Sequence, residues 1–171
     1  MNINIECKNE YDGWKIDFDW IKTTAKSILE YLLSQNEISE NSCLKDYDYQ
    51  TLSFDFLFTD GGQTHSINLE YRSKDYPADI ITFAVFADCE PNDKFVLDGN
   101  IDLGEIIIAL DKMIDGAKEK GASKEDELSF FISHGIMHLL GFDHLTMPDY
   151  NFVIEWQKRA LESININYDK I

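Results

Sequence analysis

Basic side chains are scarce in this 171-residue chain. Its 15 Lys and Arg stand against 32 Asp and Glu, a formal net charge of −17, and Arg72 and Arg159 are the only arginines. That balance argues against a broad electrostatic grip on nucleic acid and against anionic membranes, and taken alone it favours a small-molecule or protein partner. A local basic cleft can nonetheless persist on an acidic surface. Cysteine is equally sparse: Cys7, Cys43 and Cys89 are odd in number, widely spaced and without a CxxC pair. They form no disulfide framework, and a reduced, cytosolic protein is expected. No apolar run is long enough to span a membrane, and the start, MNINIECKNE, lacks the basic and apolar regions of a signal peptide. The length suits one domain with a single core, and there are no repeats.

Histidine is rare too, yet three of the four lie in one stretch, HGIMHLLGFDH, from His134 to His144. On a helix, His134 and His138 sit one turn apart on one face, where both imidazoles reach a single ion. Gly141 can end that helix in a left-handed conformation and turn the chain back, bringing His144 to the ion from a third direction. One histidine on an apolar helix is usually a core or surface residue. Three at ligand spacing around a helix-ending glycine point to a metal site with an open position. Zinc, one ion per chain, is the first expectation, because all-nitrogen ligation suits it and three protein ligands leave room for water. Nickel, iron or copper would also accept imidazole.

The spacing follows the long zincin pattern H-E-x-x-H-x-x-G-x-x-H except that Gly135 stands where the glutamate should be. That glutamate is the general base of peptide hydrolysis. The ligands are present without it, so a metallohydrolase with another substrate is expected.

The rest of the chain interleaves strands and helices. Alternation over residues 2 to 7 predicts a first strand, and the stripe Ile21, Ala25, Ile28, Leu29, Leu32, Leu33 predicts a helix from Phe18 to Gln35 capped by Asp17 or Asp19. Asn36 to Tyr49 reads as a loop. Leu52, Phe54, Phe56 and Phe58 mark a half-buried strand that Asp60-Gly61-Gly62 stops. A short helix is expected over Thr64 to Tyr71, buried strands over Ile80 to Phe86 and Leu103 to Leu110, and a weaker strand near Phe95 to Leu97. Helices are expected over Met113 to Lys120, over Glu125 to Leu140 with Ser123 as cap, and from Pro148 onward. Without strict βαβ alternation, the expected fold is an α+β domain, residues 1–171, with one small mixed sheet flanked by helices and the metal helix packed on one face.

A second constellation is LEYRSKDYPADIITF, residues 69 to 83. It can be a solvated turn leading into a core strand. Alternatively, Arg72 grips a phosphate in two-pronged fashion beside the metal, which lysine does less well.

Together these segments resemble a known family. HGIMHLLGFDH, preceded by DEL at 126 to 128, is similar to the H-G-x-L-H-L-x-G-Y-D-H signature of the YbeY-type rRNA maturation endoribonucleases. NLEYRSKDYPADIITF is similar to their N-x-x-Y-R-x-K-D-x-P-T-D-V-L-S-F block, and LGEIIIALD to their L-G-D-I-x-I block. The resemblance covers residues 68 to 144, and in the first sixty residues only the order of elements matches. It implies a cytoplasmic, zinc-dependent endoribonuclease that cleaves single-stranded RNA, matures the 3′ end of small-subunit rRNA and serves ribosome quality control. His134, His138 and His144 would be its metal ligands, and Arg72 with His134 its catalytic residues. RNA and the ribosome or ribosome-assembly proteins would be its partners, with no membrane and no DNA.

Ala78, Glu105, Ala84 and Met137 depart from the signatures, and Ala78 and Glu105 are expected at the cleft floor. The negative charge implies that a partner protein, rather than the enzyme's own field, delivers the RNA. Asp143 would orient a ligand imidazole or cap the helix end. Two competing readings are a zincin-like metallopeptidase and a non-catalytic, ribosome-associated factor in which zinc only staples the fold. His65, outside the cluster, is expected to be a surface residue in a turn.

Overall fold

The computed structural model describes residues 1–169. Four strands form one sheet in the order β1-β2-β4-β3. These are β1 (Asn2–Asn9), β2 (Thr51–Thr59), β3 (Ile80–Phe83) and β4 (Asn100–Ala109). β1 and β4 flank β2 in parallel, and β3 runs antiparallel to β4, so the sheet is mixed as expected. The crossover from β1 to β2 carries α1 (Phe18–Ser34) and the short α2 (Asn36–Ser39). α3 (Gly61–Arg72) leads to β3, which is followed by the short α4 (Val85–Asp88). α5 (Leu110–Lys120), α6 (Lys124–Leu139) and α7 (Met147–Ser163) complete the chain.

Burial follows the alternation that predicted the strands. Leu52, Phe54, Phe56 and Phe58 of β2 join Ile101, Leu103, Ile106 and Ile108 of β4 in one core, closed by Ile21 and Ile28 of α1 and by Leu128, Ile132 and Ile136 of α6. Caps set the helix starts: the Asp17 carboxylate accepts from the Asp19 and Trp20 amides, and Ser123 Oγ accepts from Asp126 N at 3.1 Å.

Several boundaries differ from expectation. Gly61 and Gly62 open α3 rather than merely stopping β2, because Asp60 caps the helix at Gln63 N. The stretch 36–49 is not all loop: α2 buries Ile38, and Cys43 N donates to Leu140 O at 2.9 Å, tying this segment to the end of α6. β3 stops at Phe83, three residues early. At Gly104 (φ +127) β4 shifts register, and a Cβ there would collide with the Phe83 carbonyl. The chain therefore leaves the sheet at Ala84 and coils into α4, where Phe86 packs edge-on against Tyr47 at 5.0 Å. Phe95 to Leu97 makes only the isolated bridge Leu97↔Asn100, since Asn100 onward pairs with β2 instead.

Candidate metal centre

α6 packs across β3 and β4 and carries the first two histidines. Their rings meet edge-to-face at 4.6 Å, and His138 Nε2 lies 3.0 Å from His134 Nε2. The helix then ends as the glycine predicts. Gly141 adopts φ +96, its N–H donates to His138 O at 2.9 Å, and Phe142 N donates to Met137 O at 3.0 Å. Those are the two bonds of a Schellman turn, which satisfies carbonyls that the last helical turn would leave unpaired. A Cβ at Gly141 would meet nothing closer than 3.5 Å, so it is the backbone conformation rather than space that requires glycine. The reversal returns His144 to 5.3 Å from the His134 ring and 5.0 Å from the His138 ring.

One ligand nitrogen from each histidine falls within 4.8 Å of the others, the one such group among the described residues. Two imidazole nitrogens on one tetrahedral zinc, each about 2.0–2.1 Å from it, stand roughly 3.3 Å apart. The 3.0 Å between the two Nε2 atoms fits a shared ion without rearrangement. Protonation favours it too. Burial, followed by the His134, His144 and Arg72 charges, pushes His138 down to about 3, and burial lowers His134 despite the opposing hydrogen bond that it donates to Gln157. Both rings are thus neutral at pH 7, with lone pairs free to bind a cation.

The histidines open on a cavity of about 350 Å³ that they share with Arg72, Ile80, Thr82 and Asp143. Arg72 is the last residue of α3, which is pinned over β3 by the edge-on contact of Tyr71 with Phe83 at 5.6 Å. Its Nη2 donates to Thr82 O at 3.3 Å, and its side chain is otherwise exposed, so further guanidinium N–H groups remain available. Asp143 Oδ1 stands 3.6 Å from His138 Nδ1, on the opposite side of that ring from His134. It is placed to orient the ring rather than to be a fourth ligand.

Ala78 and Glu105 do not line this cavity. Successive strand residues face opposite sides of a sheet, and with Ile106 in the core under α6, Glu105 points away, beside Asp55. Ala78 instead lends its carbonyl to Thr64 Oγ1 at 2.8 Å and lines the adjoining hollow. His65 sits on α3 rather than in a turn, bonded to Asp75 Oδ1 at 2.7 Å and outside the cluster. No cysteine joins the histidines, and burial raises the Cys7 and Cys43 thiols to about 11.

Sequence reasoning missed Gln157. It lies on α7, fully buried, with Oε1 3.2 Å from His134 Nδ1. Its only signal in the sequence is that it shares the apolar stripe of Val153, Trp156, Ala160 and Leu161, where an amide has to find partners.

A family model described as Endoribonuclease YbeY matches residues 4–165. The protein named Endoribonuclease YbeY from Fusobacterium nucleatum is 31% identical over 152 residues, covering 82% of this chain and 91% of its own. Its namesake from Lachnoclostridium phytofermentans is 29% identical over 179 aligned positions, covering 98% and 99%. The one from Bacillus licheniformis is 40% identical over 106 residues, covering 61% and 67%. Among solved structures, the solution structure of a Thermotoga maritima protein superposes with a TM-score of 0.53 at 18% identity, covering 94% of this chain and 91% of that one, and so shares the fold.

Proposed function

The chain belongs to the YbeY endoribonuclease family, and from that premise we propose that residues 1–171 act as one endoribonuclease domain whose centre is His134, His138 and His144, with Arg72 across the cavity. The observation that carries this reading is the convergence of three imidazoles and one arginine on a single open cavity. A divalent ion held there supplies Lewis acidity toward a phosphate oxygen and acidifies water.

The remaining work falls to the protein's own residues. Arg72 binds the non-bridging oxygens of the scissile phosphate and stabilises the charge that builds on them as the bond breaks. Thr82 O accepts from one guanidinium nitrogen and holds Arg72 at the wall of the cavity, with its other N–H groups unengaged. Asp143 stands on the outer nitrogen side of His138, and the Schellman turn at Gly141 sets His144. Zinc is the preferred ion for three nitrogen ligands and an open position, with nickel or another divalent metal as the alternative. The substrate is single-stranded RNA, in the family role of small-subunit rRNA maturation and quality control in the cytoplasm. With a net charge of −17, the protein relies on the ribosome or an assembly protein to bring that RNA to the cavity.

The test is cleavage of a labelled single-stranded RNA by protein of known metal content, beside His138→Ala and a chelator-stripped sample. Loss in both, with recovery when zinc is returned to the stripped parent, supports the reading. Equal cleavage in all three would defeat it. Cleavage of casein tracking zinc content would favour a peptidase, and bound zinc with no cleavage even on ribosomes a structural role.

A further inference from the structure

Gln157 is buried at a distance from solvent where each polar atom must be accounted for. Its Nε2 lies 3.3 Å from Phe130 O and 3.1 Å from Ser133 Oγ. A backbone carbonyl only accepts, so the nitrogen of the amide must face Phe130 and the oxygen must face His134. Oε1 only accepts in turn, so His134 Nδ1, 3.2 Å away, must be the donor and carry the proton. A neutral imidazole has one proton on its ring nitrogens. The lone pair is therefore left on Nε2, the atom that faces His138 Nε2 and the cavity.

We infer that Gln157 is a positioning residue for the centre, holding His134 as the Nδ1–H tautomer and fixing its ring so that Nε2 is presented to the ion. The inference rests on the reading of His134 as a ligand. The tether is rigid because all its partners, His134 included, are on adjoining turns of α6: Phe130 and Ser133 hold the amide, and Ser133 Oγ is itself bonded to Phe130 O at 2.7 Å. α7 thereby acts as a brace laid along α6. An amide does this without adding charge. The carboxylate that often fills such a role pushes electron density onto the imidazole and lowers the net positive charge of the site. A neutral acceptor leaves that positive charge undiminished, which suits an anionic phosphodiester.

The experiment compares the full-length parent with Gln157→Leu and Gln157→Glu. Imidazole nitrogen NMR of the metal-free proteins reads the His134 tautomer, and competition with a chelator reads zinc affinity. The parent should show His134 protonated at Nδ1, and Gln157→Leu should lose that preference and bind zinc 10–100-fold more weakly. Gln157→Glu keeps an acceptor facing His134 Nδ1 but sets its second oxygen against Phe130 O, so it should recover the tautomer preference and part of the affinity. An Nε2–H tautomer in the parent, or unchanged zinc affinity in Gln157→Leu, would overturn the inference. Equal losses in the Leu and Glu variants would also overturn it, by marking Gln157 as a packing residue only. A parent that shows the Nδ1–H tautomer but binds no divalent ion would overturn the metal centre while upholding the hold of Gln157 on His134.

Discussion

Gly135 of α6 lies against Ile106 of β4 so closely that a Cβ on the glycine would stand 2.7 Å from Ile106 Cδ1 and 2.9 Å from its Cγ2. Ile106 is fully buried and β-branched, so it has little freedom to retreat. The position where a zincin carries its catalytic glutamate is here a point of helix-on-sheet contact. Gly135→Ala should destabilise the protein by about 1–3 kcal/mol despite the better helix propensity of alanine, read as a lower urea midpoint. Gly135→Glu should be worse and gain no peptidase activity.

Arg72 is exposed and makes a single backbone bond, so its removal should leave fold and metal content intact. Arg72→Ala is expected to lower RNA cleavage by roughly 10²–10³-fold, the scale of losing one preorganised donor to a developing anion. Arg72→Lys should keep the charge and recover only part, because a point charge cannot bind two oxygens in the same plane. Single-turnover cleavage at matched zinc content checks both.

Glu6, Asp55 and Glu105 stand side by side across β1, β2 and β4. Burial raises Asp55, helped by Asp102 and Glu6, and burial followed by Asp55 raises Glu105. A carboxyl raised in the folded state holds its proton more tightly than in the unfolded chain. Its favourable contribution is present below the unfolded value near 4 and disappears as pH climbs through the folded value. Above that range the adjacent Asp55 and Glu105 carboxylates repel each other. Glu105→Gln should therefore raise the urea midpoint at pH 7, with the gain shrinking toward pH 4. A gain independent of pH would rule out electrostatic origin.

Glu127 is buried with both oxygens engaged, one by Lys120 Nζ at 2.9 Å and the other by the Tyr168 hydroxyl. Tyr168 also stacks on Phe130 at 4.7 Å, and burial with the Glu127 contact raises its phenol, so it remains the donor. Tyr168→Phe should cost about 1–3 kcal/mol by orphaning a buried oxygen. Lys120→Met should cost more, roughly 3–5 kcal/mol, by leaving a buried charge uncompensated, and adding Glu127→Gln should recover part of it. Thermal unfolding of the single and double variants measures this.

The parts of this protein that local chemistry controls were legible in advance. Alternation exposed β2 because a half-buried strand has a period of two, and the cap residues Asp17 and Ser123 announced their helices. The histidine cluster was legible because two of its members lie one helical turn apart and the third follows a glycine whose conformation is nearly obligatory. What escaped were features set by neighbours distant in sequence. β3 ends early because of a glycine on β4, and 95–97 fails to form a strand because Asn100 onward pairs with β2.

The sequence by itself determined the histidine cluster and the turn that brings it together, since both depend on helical periodicity and one glycine. It also determined the shortage of positive charge that any account of RNA binding must meet. Only the tertiary structure decided which groups stand beside those histidines. Arg72 reaches the cavity because α3 is pinned over β3, Glu105 is turned away by the pleat, and Gln157 meets His134 because α7 lies along α6. Such contacts join residues far apart in the chain, and their partners are chosen by how whole elements pack rather than by local sequence.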